Sequence, residues 1–216
     1  MHNTVKNLIY IEDLIKSKAN HQKLPKIIVV SKTFPIENIS PLIEHGHLHY
    51  GENKVQEAMD KWMDIKTQNQ GIKLHLIGKL QTNKVKFALR IFEYIHSLDS
   101  EKLATKIADE QEKQGKKPKI FIQVNIGAEE QKSGINKERL DDFYKFCKNL
   151  NLDIIGTMCI PPNDEKTINY FDEMNKINQQ SNFKELSMGM SGDYLEAIQS
   201  NATYVRIGSK IFGTRD

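Results

Sequence analysis

The chain has 216 residues, 38% of them hydrophobic and 27% charged, with a formal net charge of +3. That balance supplies a sizeable core and excludes a disordered chain, and no apolar run approaches membrane-spanning length. Lysines are interspersed with acidic residues, so no electrostatic footprint for nucleic acid is present.

Val5, Leu8, Ile9, Glu12 and Ile15 recur at helical spacing, which predicts an amphipathic helix before the first strand. Lys6, Glu12 and Asp13 interrupt this stretch and exclude a signal-peptide core. From Lys26 the pattern alternates. KIIVVSK (26–32), HLHYGEN (47–53), KLHLIG (73–78), YIHSLDS (94–100), KIFIQVNI (119–126), DIIGTMCI (153–160), KELSMG (184–189) and YVRIG (204–208) read as eight short strands. Stretches such as 52–66, 101–114 and 136–150 are long enough to cross over as helices and return the next strand parallel. The expected fold is α/β, a single (β/α)8 TIM-like barrel with an extra N-terminal helix, forming one domain over residues 1–216. A doubly wound open sheet is the alternative. IIVV and IFIQV are apolar at consecutive positions, as strands between a barrel interior and a helix layer should be. Cys147 and Cys159 lack metal-type spacing, so reduced thiols and a cytoplasmic location are expected.

A barrel places its site at the C-terminal ends of the strands, with phosphate commonly bound after strands seven and eight. Strand one ends at Lys32, on the face of Val30 and Ile28. Apolar surroundings favour the neutral amine that condenses with an aldehyde, and simple exposure to solvent is the competing reading. On strand eight, alternation turns Val205 and Ile207 toward the helices and Arg206 inward, where a permanent cation requires either a bound anion or acceptor or an internal ion pair. Gly208 and Ser209 open the last helix and offer free amides and a hydroxyl to an anion. On strand seven Ser187 is a donor to a phosphate oxygen and Gly189 admits a close ligand, while Ser191 or Asp193 serves as a helix cap. Asn53 either touches a ligand edge or caps a helix. His45, His47 and His49 alternate, but with no carboxylate set beside them no metal is expected and they read as incidental. There is no P-loop order and no G-x-S-x-G elbow.

Taken in order, VVSKTFP, YGENKVQE, HLIGKLQTNK, IHSLDS, VNIGAEEQKSGI, GTMCIP, LSMGMSGDYLEAI and VRIGSKIFGTR resemble the pyridoxal phosphate homeostasis protein family, also described as proline synthetase co-transcribed homologues. The resemblance covers nearly the whole chain. It implies a barrel similar to the N-terminal domain of bacterial alanine racemase, with pyridoxal 5'-phosphate as cofactor. Carried over by position, Lys32 forms the Schiff base, Arg206 faces the pyridine nitrogen, Ser187, Gly208 and Ser209 hold the phosphate, and Asn53 lies beside the ring. The sequence departs from the family pattern at Leu74, often tryptophan, and at Lys54, often aromatic, differences expected to fall on the cofactor's rim. The implied function is storing, buffering or delivering the cofactor to maintain vitamin B6 and amino-acid homeostasis, without catalytic turnover. Apo forms of pyridoxal phosphate enzymes are the implied recipients, and the state expected is monomeric. An arginine against the pyridine nitrogen disfavours its protonation and so weakens the electron sink. Alanine racemase also adds a second domain and a second base, whereas this sequence ends at Asp216. An amino-acid racemase or decarboxylase using Lys32 as its base, or a cofactor-free Schiff-base aldolase, are the competing readings.

Overall fold

All eight predicted strands form, and they close on themselves. In the computed structural model, which describes residues 1–18, 24–129, 133–162, 164 and 167–213, the elements run in this order: α1 (Asn3–Lys18), β1 (Lys26–Val30), α2 (Ile36–Glu44), β2 (His49–Glu52), α3 (Val55–Gln68), β3 (Lys73–Leu76), α4 (Val85–Ile91), β4 (Tyr94–Leu98), α5 (Glu101–Gln114), β5 (Lys119–Gln123), α6 (Leu140–Asn149), β6 (Asp153–Met158), α7 (Thr167–Gln180), β7 (Glu185–Met190), α8 (Tyr194–Gln199), β8 (Tyr204–Ile207) and α9 (Ser209–Phe212). The strands pair in sequence order, all parallel, and β8 pairs back onto β1 through Ile28 opposite Arg206 and Val29 opposite Ile207. The open-sheet alternative is therefore excluded. Residues 130–132 of the VNIGAEEQKSGI block and 214–216 of the last block lie outside the described residues.

The period-two alternation sorts each strand into two layers. Ile27, Val29, Leu74, Leu76, Ile95, Ile120, Ile122, Val205 and Ile207 meet the surrounding helices in the main core, while Ile28, Tyr94, Phe121, Met158 and Tyr204 form a separate cluster inside the barrel. The interior is more polar than the apolar runs suggested. His75, His96, Ser187 and Arg206 are also buried there among the rings.

Helix α1 buries Val5, Leu8, Ile11 and Ile15 at helical spacing. It packs on α2, α8 and α9, and Asn7 Nδ2 donates to the Ile211 carbonyl at 2.9 Å. The added helix thus ties the first and last helices of the barrel together.

Leu74 is wholly buried in the outer core, near the start of β3. Its difference from the family pattern therefore cannot alter a rim at the strands' C-terminal ends, contrary to expectation. Lys54 is exposed at the N-terminus of α3.

Candidate functional site

Lys32 stands two residues beyond β1 in a tight turn and is half-buried. The next residue, Thr33, has φ 66°, a left-handed conformation that costs a β-branched residue energy and requires outside support. That support comes from β2 and α3. Glu57 Oε1 accepts the Thr33 N–H at 2.5 Å, and Glu52 Oε1 accepts the Ser31 hydroxyl at 2.8 Å. Lys61 Nζ bridges them, donating to Glu52 Oε1 at 3.0 Å, Glu57 Oε1 at 3.1 Å and the Ser31 carbonyl at 2.9 Å. Trp62 Nε1 is a third donor to Glu52 Oε1, at 2.9 Å. Burial raises the Glu57 carboxyl, but the Thr33 N–H and Lys61 outweigh it and hold it below its ordinary value. Both neighbours of Lys32 are thereby pinned.

On the other side the turn is clasped to α9. The rings of Phe34 and Phe212 stack with centroids 4.3 Å apart, and a Cβ at Gly208 would come within 3.3 Å of Val30. The start of α9 therefore lies against the end of β1. Gly208 N–H donates to Ser191 Oγ at 3.2 Å, so the β7 and β8 ends meet there too. Because α9 has only four residues, what it offers an anion is the first-turn amides and the exposed Ser209 hydroxyl rather than a full helix dipole.

Several expectations on this face are corrected. Ser187 is the third residue of β7, not its end. It is fully buried, its Oγ accepting from Arg206 Nη1 at 2.8 Å and lying 3.0 Å from His96 Nδ1. The hydroxyl that meets Gly208 is that of Ser191. Ser191 does not cap α8, and Asp193 stands at its N-cap position without a side-chain cap bond. Asp193 Oδ1 instead accepts the Met190 N–H at 2.6 Å. Gly189 has φ 85°, and a Cβ there would meet Ala197 at 2.5 Å, so its freedom serves packing against α8. Asn53 does not cap α3, whose N-cap is Lys54. It stands half-buried just beyond β2, and a Cβ at Gly78 would clash with its carbonyl at 2.4 Å. Its own side chain has no hydrogen-bond partner among the described residues.

Arg206 is 4% exposed and makes no ion pair among the described residues. Its guanidinium donates to Ser187 Oγ and, from Nη2, to the Cys159 carbonyl at 2.9 Å. Burial lowers its pKa, opposed in part by Cys159 and Asp193. The internal ion pair that would have made it purely structural is absent among those residues.

His49 is not incidental. His49 Nδ1 lies 2.9 Å from His75 Nε2, and His75 Nδ1 lies 2.9 Å from His96 Nε2. His96 in turn reaches Ser187, so a line of side chains crosses the barrel from His49 to Arg206. Burial lowers His49 to about 4, helped by His47, Lys26 and Lys73. It holds His75 and His96 well below the ordinary value, with Arg206 adding to the effect on His96. Sequence reasoning saw His47 and His49 but not their partners, because strand register brings His49, His75 and His96 together. Glu52, Glu57, Lys61 and Trp62 were also missed, although the Glu57 and Lys61 spacing of four on a helix was a readable signal.

The sequence matches the family described as alanine racemase, N-terminal domain, over residues 12–216. It is 36% identical to the pyridoxal phosphate homeostasis protein of Pasteurella multocida, over 97% of each chain. It is 38% identical to that of Aquifex aeolicus, over 88% of this chain and 87% of the other. Among solved structures, PipY of Synechococcus elongatus with PLP bound superposes with a TM-score of 0.87 at 29% identity, covering 97% of this chain and all of that one. An alanine racemase from Clostridium difficile shares the fold at a TM-score of 0.74 and 16% identity, this chain matching 57% of its length.

Proposed function

The chain belongs to the pyridoxal phosphate homeostasis protein family, and from that premise we propose that it binds pyridoxal 5'-phosphate at the C-terminal end of the barrel and stores, buffers or delivers it without turnover. When bound, this cofactor supplies an aldehyde that condenses with a neutral amine and a phosphate that needs hydrogen-bond donors. Lys32, on a turn pinned from both sides, is the amine. Gly208, Ser209 and Ser191 gather where the β7 and β8 ends meet and are the phosphate contacts. Asn53, whose side chain has no hydrogen-bond partner among the described residues, lies at the ring edge. Ser187 supports Arg206 from below.

The observation that carries the reading is Arg206. A buried guanidinium that forms no ion pair among the described residues keeps its charge and its remaining N–H groups for a ligand. Facing the pyridine nitrogen, it donates an N–H to that nitrogen's lone pair and opposes its protonation, which suits holding the cofactor rather than using it as an electron sink. The same reading takes the protein as a monomeric, cytoplasmic barrel that hands its cargo to apo-enzymes.

Spectrophotometric titration of the purified protein with pyridoxal phosphate tests it. Saturable binding at one equivalent, with no amino acid racemised or decarboxylated faster than by free cofactor, is the expected outcome. Absence of saturable binding contradicts the reading, and sustained turnover assigns an enzyme instead.

A further inference from the structure

The line of side chains that crosses the barrel has a direction, and the direction follows from Arg206. A guanidinium has donors and no acceptor, so Nη1 must donate to Ser187 Oγ. Ser187 then has one proton of its own to place, and its remaining partner among the described residues is His96 Nδ1. The opposite arrangement, with His96 donating, leaves that hydroxyl proton without an acceptor at a fully buried site. His96 Nδ1 is therefore the acceptor and its proton sits on Nε2, donated to His75 Nδ1. By the same step His75 carries its proton on Nε2 and donates it to His49 Nδ1. His49 ends the line half-buried, on a cavity of 430 Å³ at the opposite end of the barrel from Lys32.

Every donor in this line points away from Arg206, and every acceptor lone pair points toward it. Three neutral imidazoles and one hydroxyl thus act as a row of aligned dipoles with the negative end at the guanidinium. We propose that His49, His75 and His96 are positioning residues that take the place of a counter-ion for Arg206, holding its guanidinium in place while leaving its charge for the bound cofactor. A carboxylate in that position would neutralise Arg206 and bind it directly. The role of the line toward the cofactor rests on the reading given under Proposed function.

The groups around the line favour its neutral form. Lys26 and Lys73 bear on His49, and Tyr94 stacks on His75 with ring centroids 4.2 Å apart. Phe121 covers His96 at 4.2 Å, and Arg206 lies beyond Ser187. No carboxylate forms an ion pair with any of the three histidines among the described residues, so nothing there compensates an added proton.

Nitrogen-15 NMR of the imidazoles in the cofactor-free protein tests the direction without any variant. His75 and His96 are expected to be protonated at Nε2 alone and to show no titration between pH 5.5 and 8, a window around the ordinary histidine value of about 6.5. Protonation at Nδ1 of either ring, or titration of either in that window, overturns the proposal. The link to Arg206 is tested by His75→Phe, which keeps the ring against Tyr94 and cuts the line. Cofactor affinity should fall about tenfold, the scale of one hydrogen bond to a charged group, with Lys32 still trapped by borohydride at saturation. His75→Gln, whose amide both accepts and donates, should recover part of that loss. A folded His75→Phe variant with wild-type affinity and spectrum overturns the proposal, as does a His75→Gln variant no better than His75→Phe. If the wild-type protein takes up no cofactor, the functional reading fails, while the tautomer measurement still decides the direction of the line.

Discussion

Replacing Arg206 with methionine separates a structural arginine from a ligand-directed one. Methionine is close in length, apolar and adaptable in a core. Replacing a buried charge by a well-packed apolar side chain removes its desolvation penalty, and for buried ion pairs such a replacement is neutral or stabilising by up to about 1–4 kcal/mol. Against this, the Cys159 carbonyl loses the Nη2 donor at 2.9 Å and is left buried, which costs about 1–3 kcal/mol. Ser187 keeps His96 as partner and adds little. The two effects largely cancel, so the Tm of the cofactor-free protein should stay within about 4 °C of wild type, since 1 kcal/mol moves a chain of this size by about 2–4 °C. Cofactor affinity should nevertheless fall by about ten- to a hundredfold, the range for one hydrogen bond from a charged group. Calorimetry and a spectrophotometric titration read the two quantities. A Tm loss beyond about 10 °C would show that Arg206 holds the barrel together, and an unchanged affinity would remove it from the binding site.

Glu52→Ala should behave in the opposite way. It strands the buried Trp62 N–H, the Ser31 hydroxyl and part of the Lys61 charge. Breaking one side of a buried pair costs about 3–5 kcal/mol, or about 10 °C in Tm by thermal melting, and a loss under 3 °C contradicts the network's importance. Ser191→Ala removes the acceptor of the Gly208 N–H. It should weaken cofactor affinity about fivefold while leaving Tm within about 3 °C, and an unchanged titration would place the phosphate elsewhere. Stability should also fall with acid before the carboxylates titrate. His47 and His49 are lowered to about 4, and His75 and His96 lie well below the ordinary 6.5. As pH drops through the unfolded value, the unfolded chain gains protons that the native state refuses. At pH 6 each fully buried histidine costs about 0.8 kcal/mol. With half-buried His47 and His49 discounted, the total is about 2 kcal/mol, a Tm loss of about 6 °C from pH 7.5 measured by calorimetry. A flat profile would contradict the buried neutral line.

The barrel was legible because each strand segment carried its own signal, β-branched and aromatic runs separated by crossover-length helical stretches. The position of Lys32 at a strand end and of Arg206 on an inward face followed from the same alternation. What could not be read was set by closure and register. Ser187 looked like a strand-end hydroxyl until pairing placed it opposite Tyr204, deep in the barrel, and gave the outer position to Ser191. His75 and His96 carried no local signal, since their meaning arises only when β2, β3 and β4 bring three imidazoles to 2.9 Å spacing. Comparison with the family places Leu74 on the rim, yet its parity on β3 turns it outward into the core.

Everything proposed for the site turns on whether Lys32 is the amine that holds pyridoxal phosphate. The most direct measurement is borohydride reduction of the protein mixed with one equivalent of cofactor, followed by peptide mass spectrometry. One phosphopyridoxyl group on the peptide carrying Lys32, absent in Lys32→Ala, is the expected result. Labelling of a different lysine, or equal labelling in the variant, would contradict it.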